Sequence, residues 1–113
     1  MDEDEIAWER CELPEPNSIS RNGIRYEAMP FGKVRGLGQN GGYIAAIDEA
    51  SDKELWLLKV YDVRYDPEKE EDVQEIFISE LKPGDENLLH VFNERGGHYL
   101  VNVDTRVVIQ LEG

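Results

Sequence analysis

The chain has 113 residues, with 25 acidic against 12 basic side chains and a formal charge of -13. It is the length of a single domain with one modest core, and its field repels nucleic-acid phosphates and anionic membrane surfaces. Its single cysteine, Cys11, excludes an internal disulfide and a cysteine-based metal site.

Hydrophobic residues make up 40% of the chain and ten glycines bring the apolar content into the globular range, while a charged fraction of 33% is high. The expectation is a chain that folds beneath an unusually charged surface and gains stability from added salt, which screens like charges. The opening Met-Asp-Glu-Asp-Glu is the opposite of the basic start of a secretory signal, and no apolar run approaches membrane-spanning length. A cytoplasmic location is therefore expected.

Residues 1–20 read as an acidic amino-terminal segment. Acids crowd Asp2 to Glu5, where a helix dipole favours them, and Pro14 and Pro16 forbid continuation, so a short helix is predicted over Asp2 to Leu13. Leu13 to Ser20 reads as a surface connector. Residues 21–113 read as one antiparallel β domain. Asn22-Gly23 is a turn pair, after which Ile24, Tyr26 and Ala28 alternate with Arg25 and Glu27 as in a half-buried strand that Pro30 ends. A short strand is predicted at Phe31 to Val34, then a glycine-rich loop from Gly36 to Gly42.

Tyr43 to Asp48 and Leu55 to Tyr65 form the arms of a predicted hairpin. The second arm is apolar in both alternating sets at first, which predicts a strand near the sheet centre with both faces covered. Asp66 to Asp72 is a solvated interruption. Val73 to Leu81 resumes strand character, Lys82 to Asp85 turns, and Leu88 to Asn93 is a further strand. Two more follow, with Tyr99, Val101 and Val103 alternating in one and Val107 and Ile109 in the other, on either side of a turn at Asp104-Thr105. The fold class predicted is all-β, mainly an antiparallel meander closed as a sandwich, barrel or propeller-like sheet, with the short amino-terminal helix beside it.

Several patterns invite a chemical reading. Gly36-x-Gly38-x-x-Gly41 with Asp62 some twenty residues on matches a dinucleotide fingerprint, whose physics needs a buried strand before the first glycine and a helix after the third. Met29 to Arg35 is a poor buried strand, and no further βαβ unit follows. His90 and His98, with Asp104 nearby, suggest a metal site only if strand register brings the imidazoles to one face. A two- or four-residue loop within Glu94 to Gly97 would place them on opposite faces, whereas an odd loop or a bulge would unite them. No serine has a hydrolase context, and Asp66 to Asp72 lacks the oxygen spacing and glycine of a calcium loop. No catalytic residue, metal site or cofactor is predicted.

There remain two acid-rich stretches, Asp2 to Glu12 and Asp66 to Asp72. Most acidic clusters only solvate a surface. The functional alternative is a patch that steers a basic protein partner, with Glu68, Glu70, Glu71 and Asp72 as its acids and Trp8 as the buried anchor; Trp56 and Tyr61 are better placed in the core. The leading expectation is thus a small acidic non-enzymatic binding protein that docks on a basic protein surface, as an inhibitor, immunity-type protein or accessory subunit does, and binds neither nucleic acid nor membrane. The alternatives are a small-molecule or nucleotide binder using the Gly36 to Gly42 loop, and a structural protomer that self-associates through an exposed strand edge such as Val107 to Leu111.

Overall fold

A computed structural model describes residues 15–65, 67–68 and 75–111. It is all-β, with two four-stranded antiparallel sheets. The first sheet runs β1 (Ile19–Arg21), β2 (Ile24–Met29), β3 (Tyr43–Asp48) and β4 (Lys53–Lys59), and the second β5 (Ile78–Pro83), β6 (Leu88–Asn93), β7 (His98–Asn102) and β8 (Val107–Leu111). In both sheets spatial order follows chain order. This is the predicted meander, divided into two open sheets. The predicted helix over Asp2 to Leu13 lies outside the described residues.

The turns follow from their residues. Asn22 and Gly23 both have positive φ, 57° and 78°. This is the turn geometry that matches strand twist and that Asn-Gly adopts at least cost. It joins β1 to β2, with Arg21 opposite Ile24, so the expected connector ends two residues early: Ile19 and Ser20 already belong to a strand. Between β7 and β8, the Asn102 side-chain oxygen accepts from the Asp104 and Thr105 amides at 3.0 and 3.1 Å, fixing the predicted turn there.

One core serves both sheets. Tyr26, Ile44 and Ala46 from the first sheet meet Leu81, Leu89, Val91 and Val101 from the second, and Val60, Tyr61 and Val63 of the connecting chain fill the space alongside. Ile44, Ala46, Leu89, Val91 and Val101 are fully inaccessible. Tyr61 stacks on Tyr99 at 5.1 Å between ring centroids. Arg21 couples the sheets by polar contact: its guanidinium donates to the carbonyls of Gly84 at 3.3 Å and Leu88 at 2.7 Å, and also to that of Glu86.

Three further expectations differ from the fold. The predicted strand at Phe31 to Val34 is replaced by a 3-10 turn at Lys33–Arg35 that ends in left-handed Gly36, as the glycines flanking it favour. The run Leu55 to Tyr65 is not a central strand: β4 stops at Lys59 and lies at a sheet edge, with Leu55 50% exposed. Its apolar residues serve two tasks, because Trp56 and Leu58 pack on the core as sheet residues while Val60, Tyr61 and Val63 do so from irregular chain. Last, of the strand expected from Val73 onward, Val73 and Gln74 lie outside the described residues, residues 75–77 are irregular and β5 begins at Ile78, and Lys82 and Pro83 end β5 instead of turning.

Candidate functional site

A cleft of about 360 Å³ opens where the end of β2 and the start of β3 face Phe77 and Ile78. Met29, Pro30, Phe77 and Ile78 are its large apolar lining residues, and the acidic residues Glu15 and Glu27 line it as well. Glu27 is held by Arg25, whose Nε donates to it at 2.7 Å, and Arg25 also reaches Asp52 at 3.0 Å. These two hydrogen-bonded carboxylates raise the Arg25 pKa above its ordinary value.

Gly41 and Gly42 also line the cleft, and the rest of the glycine loop explains how they are held. Gly32 and Asn40 close the loop at its base, with Gly32 N donating to Asn40 O at 3.1 Å and Lys33 N to Asn40 Oδ1 at 3.0 Å. Gln39 is buried at 5% exposure. Its amide nitrogen donates to Gly41 O and Tyr61 O, both at 2.8 Å, and its oxygen accepts from Val63 N at 2.9 Å. One side chain therefore satisfies three backbone groups and pins the loop to the chain leaving β4. Gly41 lies so close to Ile76 that a Cβ there would come within 2.4 Å of the Ile76 carbonyl oxygen, and Gly42 has φ of 92°. These glycines permit close backbone approach.

The strand-glycines-helix context that the dinucleotide fingerprint needs is not present here. Gly41 and Gly42 lead into strand β3, so no helix amino terminus faces a phosphate site. The apolar residues after the loop, Tyr43 to Ala46, are a buried strand.

Beside the loop lies a second polar group of residues. Glu75, 5% exposed, accepts from the Tyr65 hydroxyl at 2.8 Å and from Asn40 at 3.2 Å through one carboxylate oxygen; its other oxygen is buried with no hydrogen-bond partner among the described residues. Tyr61 donates its hydroxyl to Ile76 O at 2.8 Å. Burial, with Tyr99, Glu94 and Glu75 adding to it, pushes the Tyr61 pKa far up, so this hydroxyl stays protonated and acts as a donor.

The two histidines do meet. Phe92 pairs with His98 and His90 with Leu100, so the five residues Asn93 to Gly97 separate the last cross-strand pair of β6 and β7 along the chain. This is the odd count that places both imidazoles on one face. Asn93 sets it, because its side-chain oxygen accepts from Arg95 N at 2.9 Å and Gly97 N at 2.8 Å and folds the turn around itself. His90 Nδ1 lies 2.9 Å from His98 Nε2, and Phe92 stacks on His98 at 4.2 Å. Asp104 does not join them: it accepts from Asn87 at 3.0 Å. Among the described residues no three His, Cys, Asp or Glu side chains gather as a metal site would require.

Of the residues expected to meet a partner, Glu68 is described and exposed, while Trp8, Glu70, Glu71 and Asp72 lie outside the described residues. Tyr61 is buried and Trp56 half-buried, the latter 6.0 Å from Tyr26 and under the Arg106 guanidinium at 5.4 Å. Sequence reasoning missed the cleft and Gln39. A polar residue between glycines carries no pattern that distinguishes a buried staple from a solvated loop residue. No helix among the described residues is long and apolar enough to cross a membrane. Comparison with protein-family models, with curated proteins and with solved structures finds no match to this chain.

Proposed function

We propose that this protein is a small acidic, non-enzymatic binding domain that docks on a basic surface of another protein, with the cleft at Glu15 and Glu27 receiving a lysine or arginine side chain. The observation that carries the reading is the lining of that cleft: apolar Met29, Pro30, Phe77 and Ile78 beside two acidic residues, Glu15 and Glu27, of which Glu27 already pairs with Arg25. A long basic side chain has matching chemistry, an apolar stem that gains from burial and a cationic head that needs a carboxylate. The remaining negative charge would steer such a partner and raise its association rate, and Glu68, Glu70 and Glu71 are the acids to test for that role.

The test is capture of the tagged protein's partner from its source lysate, followed by binding kinetics with the purified pair. Replacing Glu15 and Glu27 with lysine should speed dissociation, while Glu68, Glu70 and Glu71 changed to lysine should slow association and flatten its salt dependence. Unchanged kinetics in both variants would refute the reading.

A second reading rests on the size of the same cleft, which falls within the ~300–1,000 Å³ of small-molecule sites. Gly41 and Gly42 would then present backbone to a small ligand. Thermal-shift screening of cationic metabolites and nucleotides tests it: no rise in melting temperature for any of them would remove it.

A further inference from the structure

We infer that β8 is a self-association edge through which two copies of this chain join their second sheets into one eight-stranded sheet. Among the described residues the two sheets have four edge strands, β1, β4, β5 and β8, and unpaired edges invite pairing unless something blocks them. Three are blocked. β1 has three residues, and its Arg21 is committed to carbonyls of the other sheet. β4 carries Lys53, Glu54 and Lys59, and its register with β3 shifts between Ala46 and Ile47. β5 has a register shift between Ile78 and Glu80 and ends in Lys82 and Pro83.

β8 has none of these devices. Val107 to Leu111 contains no charge and no proline, and all five residues pair in regular register with β7. Among the described residues its only strand neighbour is β7. Its outward side chains are apolar and accessible, Val107 at 53% and Ile109 at 54%. They continue a face in which Phe92, His98 and Leu100 stand half-buried on β6 and β7.

Charge selects the occupant. On a chain of formal charge -13, the described strand residues of this face include one acid, Glu80, and one lysine, Lys82, placed 3.7 Å apart, beside the imidazoles of His90 and His98. A basic partner gains nothing from a neutral apolar strip, whereas a second copy meets its own apolar residues there without local like-charge contact. Antiparallel pairing about Ile109 sets Ile109 against Ile109 and Val107 against Leu111, so one two-fold axis satisfies both edges and closes the assembly at two.

The experiment is sedimentation equilibrium on the full chain from micromolar to near-millimolar concentration, at low and high salt, with the wild type and I109K. Mutual repulsion between anionic protomers is screened by salt, so dimerisation should strengthen as salt rises, opposite to the weakening expected for docking on a basic partner. I109K puts two cations face to face at the axis and should weaken dimerisation about tenfold or more. Circular dichroism should show it folded, since Ile109 is outside the core; should it not fold, I109T keeps the β-branched shape and is expected to weaken the dimer in the same direction. A wild type that stays monomeric at high salt overturns the inference, as does a dimer indifferent to I109K and I109T, or an open-ended polymer.

Discussion

Gln39 holds the glycine loop in place, and its removal has a calculable cost. Gln39→Ala leaves the carbonyls of Gly41 and Tyr61 and the amide of Val63 without the bonds now made at 2.8, 2.8 and 2.9 Å. A buried backbone group left unpaired costs about 1–3 kcal/mol. Water can enter beside a loop, so the lower figure applies and the three groups together cost about 3 kcal/mol. That is a large share of the ~5–15 kcal/mol stability of a domain, and for a chain near this length it lowers Tm by about 12 °C. Urea unfolding followed by tryptophan fluorescence measures it, because Trp56 packs against the core.

Gln39→Glu supplies the control. At neutral pH it sets a carboxylate against the two carbonyl oxygens, so it should destabilise more than alanine does. Facing two carbonyls in a buried site, its folded-state pKa lies above the unfolded value, so the added penalty begins to shrink as pH falls through that raised folded pKa and is gone below the unfolded glutamate pKa. The reasoning is refuted if Gln39→Ala costs less than about 1 kcal/mol, or if Gln39→Glu matches alanine at every pH.

Other consequences are open to the same assay. Arg21→Lys keeps the charge but cannot fork between carbonyls, so it should cost about 1–2 kcal/mol and Arg21→Ala about 2–3 kcal/mol; equal stability of all three proteins would show that the inter-sheet clip is idle. Gly41→Ala must push a methyl group against the Ile76 carbonyl and should cost about 2 kcal/mol or more, whereas a Cβ on Gly38 meets nothing within 4 Å and Gly38→Ala should be near neutral; reversal of that order in thermal melts contradicts the loop packing. The Ser51 hydroxyl and amide hold the Asp48 carboxyl below its ordinary pKa, the Arg35 guanidinium does so for Glu54, and the Lys59 ammonium for Asp62. Each folded-state pKa is depressed, so the stabilisation is present above the ordinary carboxylate range and is lost as pH falls through the lower folded values. The urea midpoint should drop on acidification below about pH 4, and Asp48→Asn should shrink that drop; an Asp48→Asn profile parallel to wild type would contradict the assignment.

The strands were legible where side chains alternate and local turn chemistry fixes the register. Asn22-Gly23 encodes its own hairpin turn, and Leu88 to Asn93 is strand β6 residue for residue. Alternation fails where apolar residues are buried without being in a sheet, which is why Val60, Tyr61 and Val63 read as a continuation of β4 although irregular chain carries them into the core. The histidine pair shows a second limit. Sequence supplies the rule that an odd connection unites His90 and His98, but the count depends on the Asn93 side chain accepting from Arg95 and Gly97 amides, which spacing does not reveal. The cleft was hidden for a related reason. Glu15, Glu27 and Phe77 meet through packing of distant segments, and among 25 acids nothing local marks the two that face an apolar wall.

Capture of the protein's partner from its source lysate, at low and physiological salt, with wild type and the Glu15→Lys, Glu27→Lys double variant in parallel, tests the central claim most directly. The account predicts one basic protein retained by the wild type at both salts and lost from the variant. Nothing retained at physiological salt, or equal retention by both proteins, contradicts it.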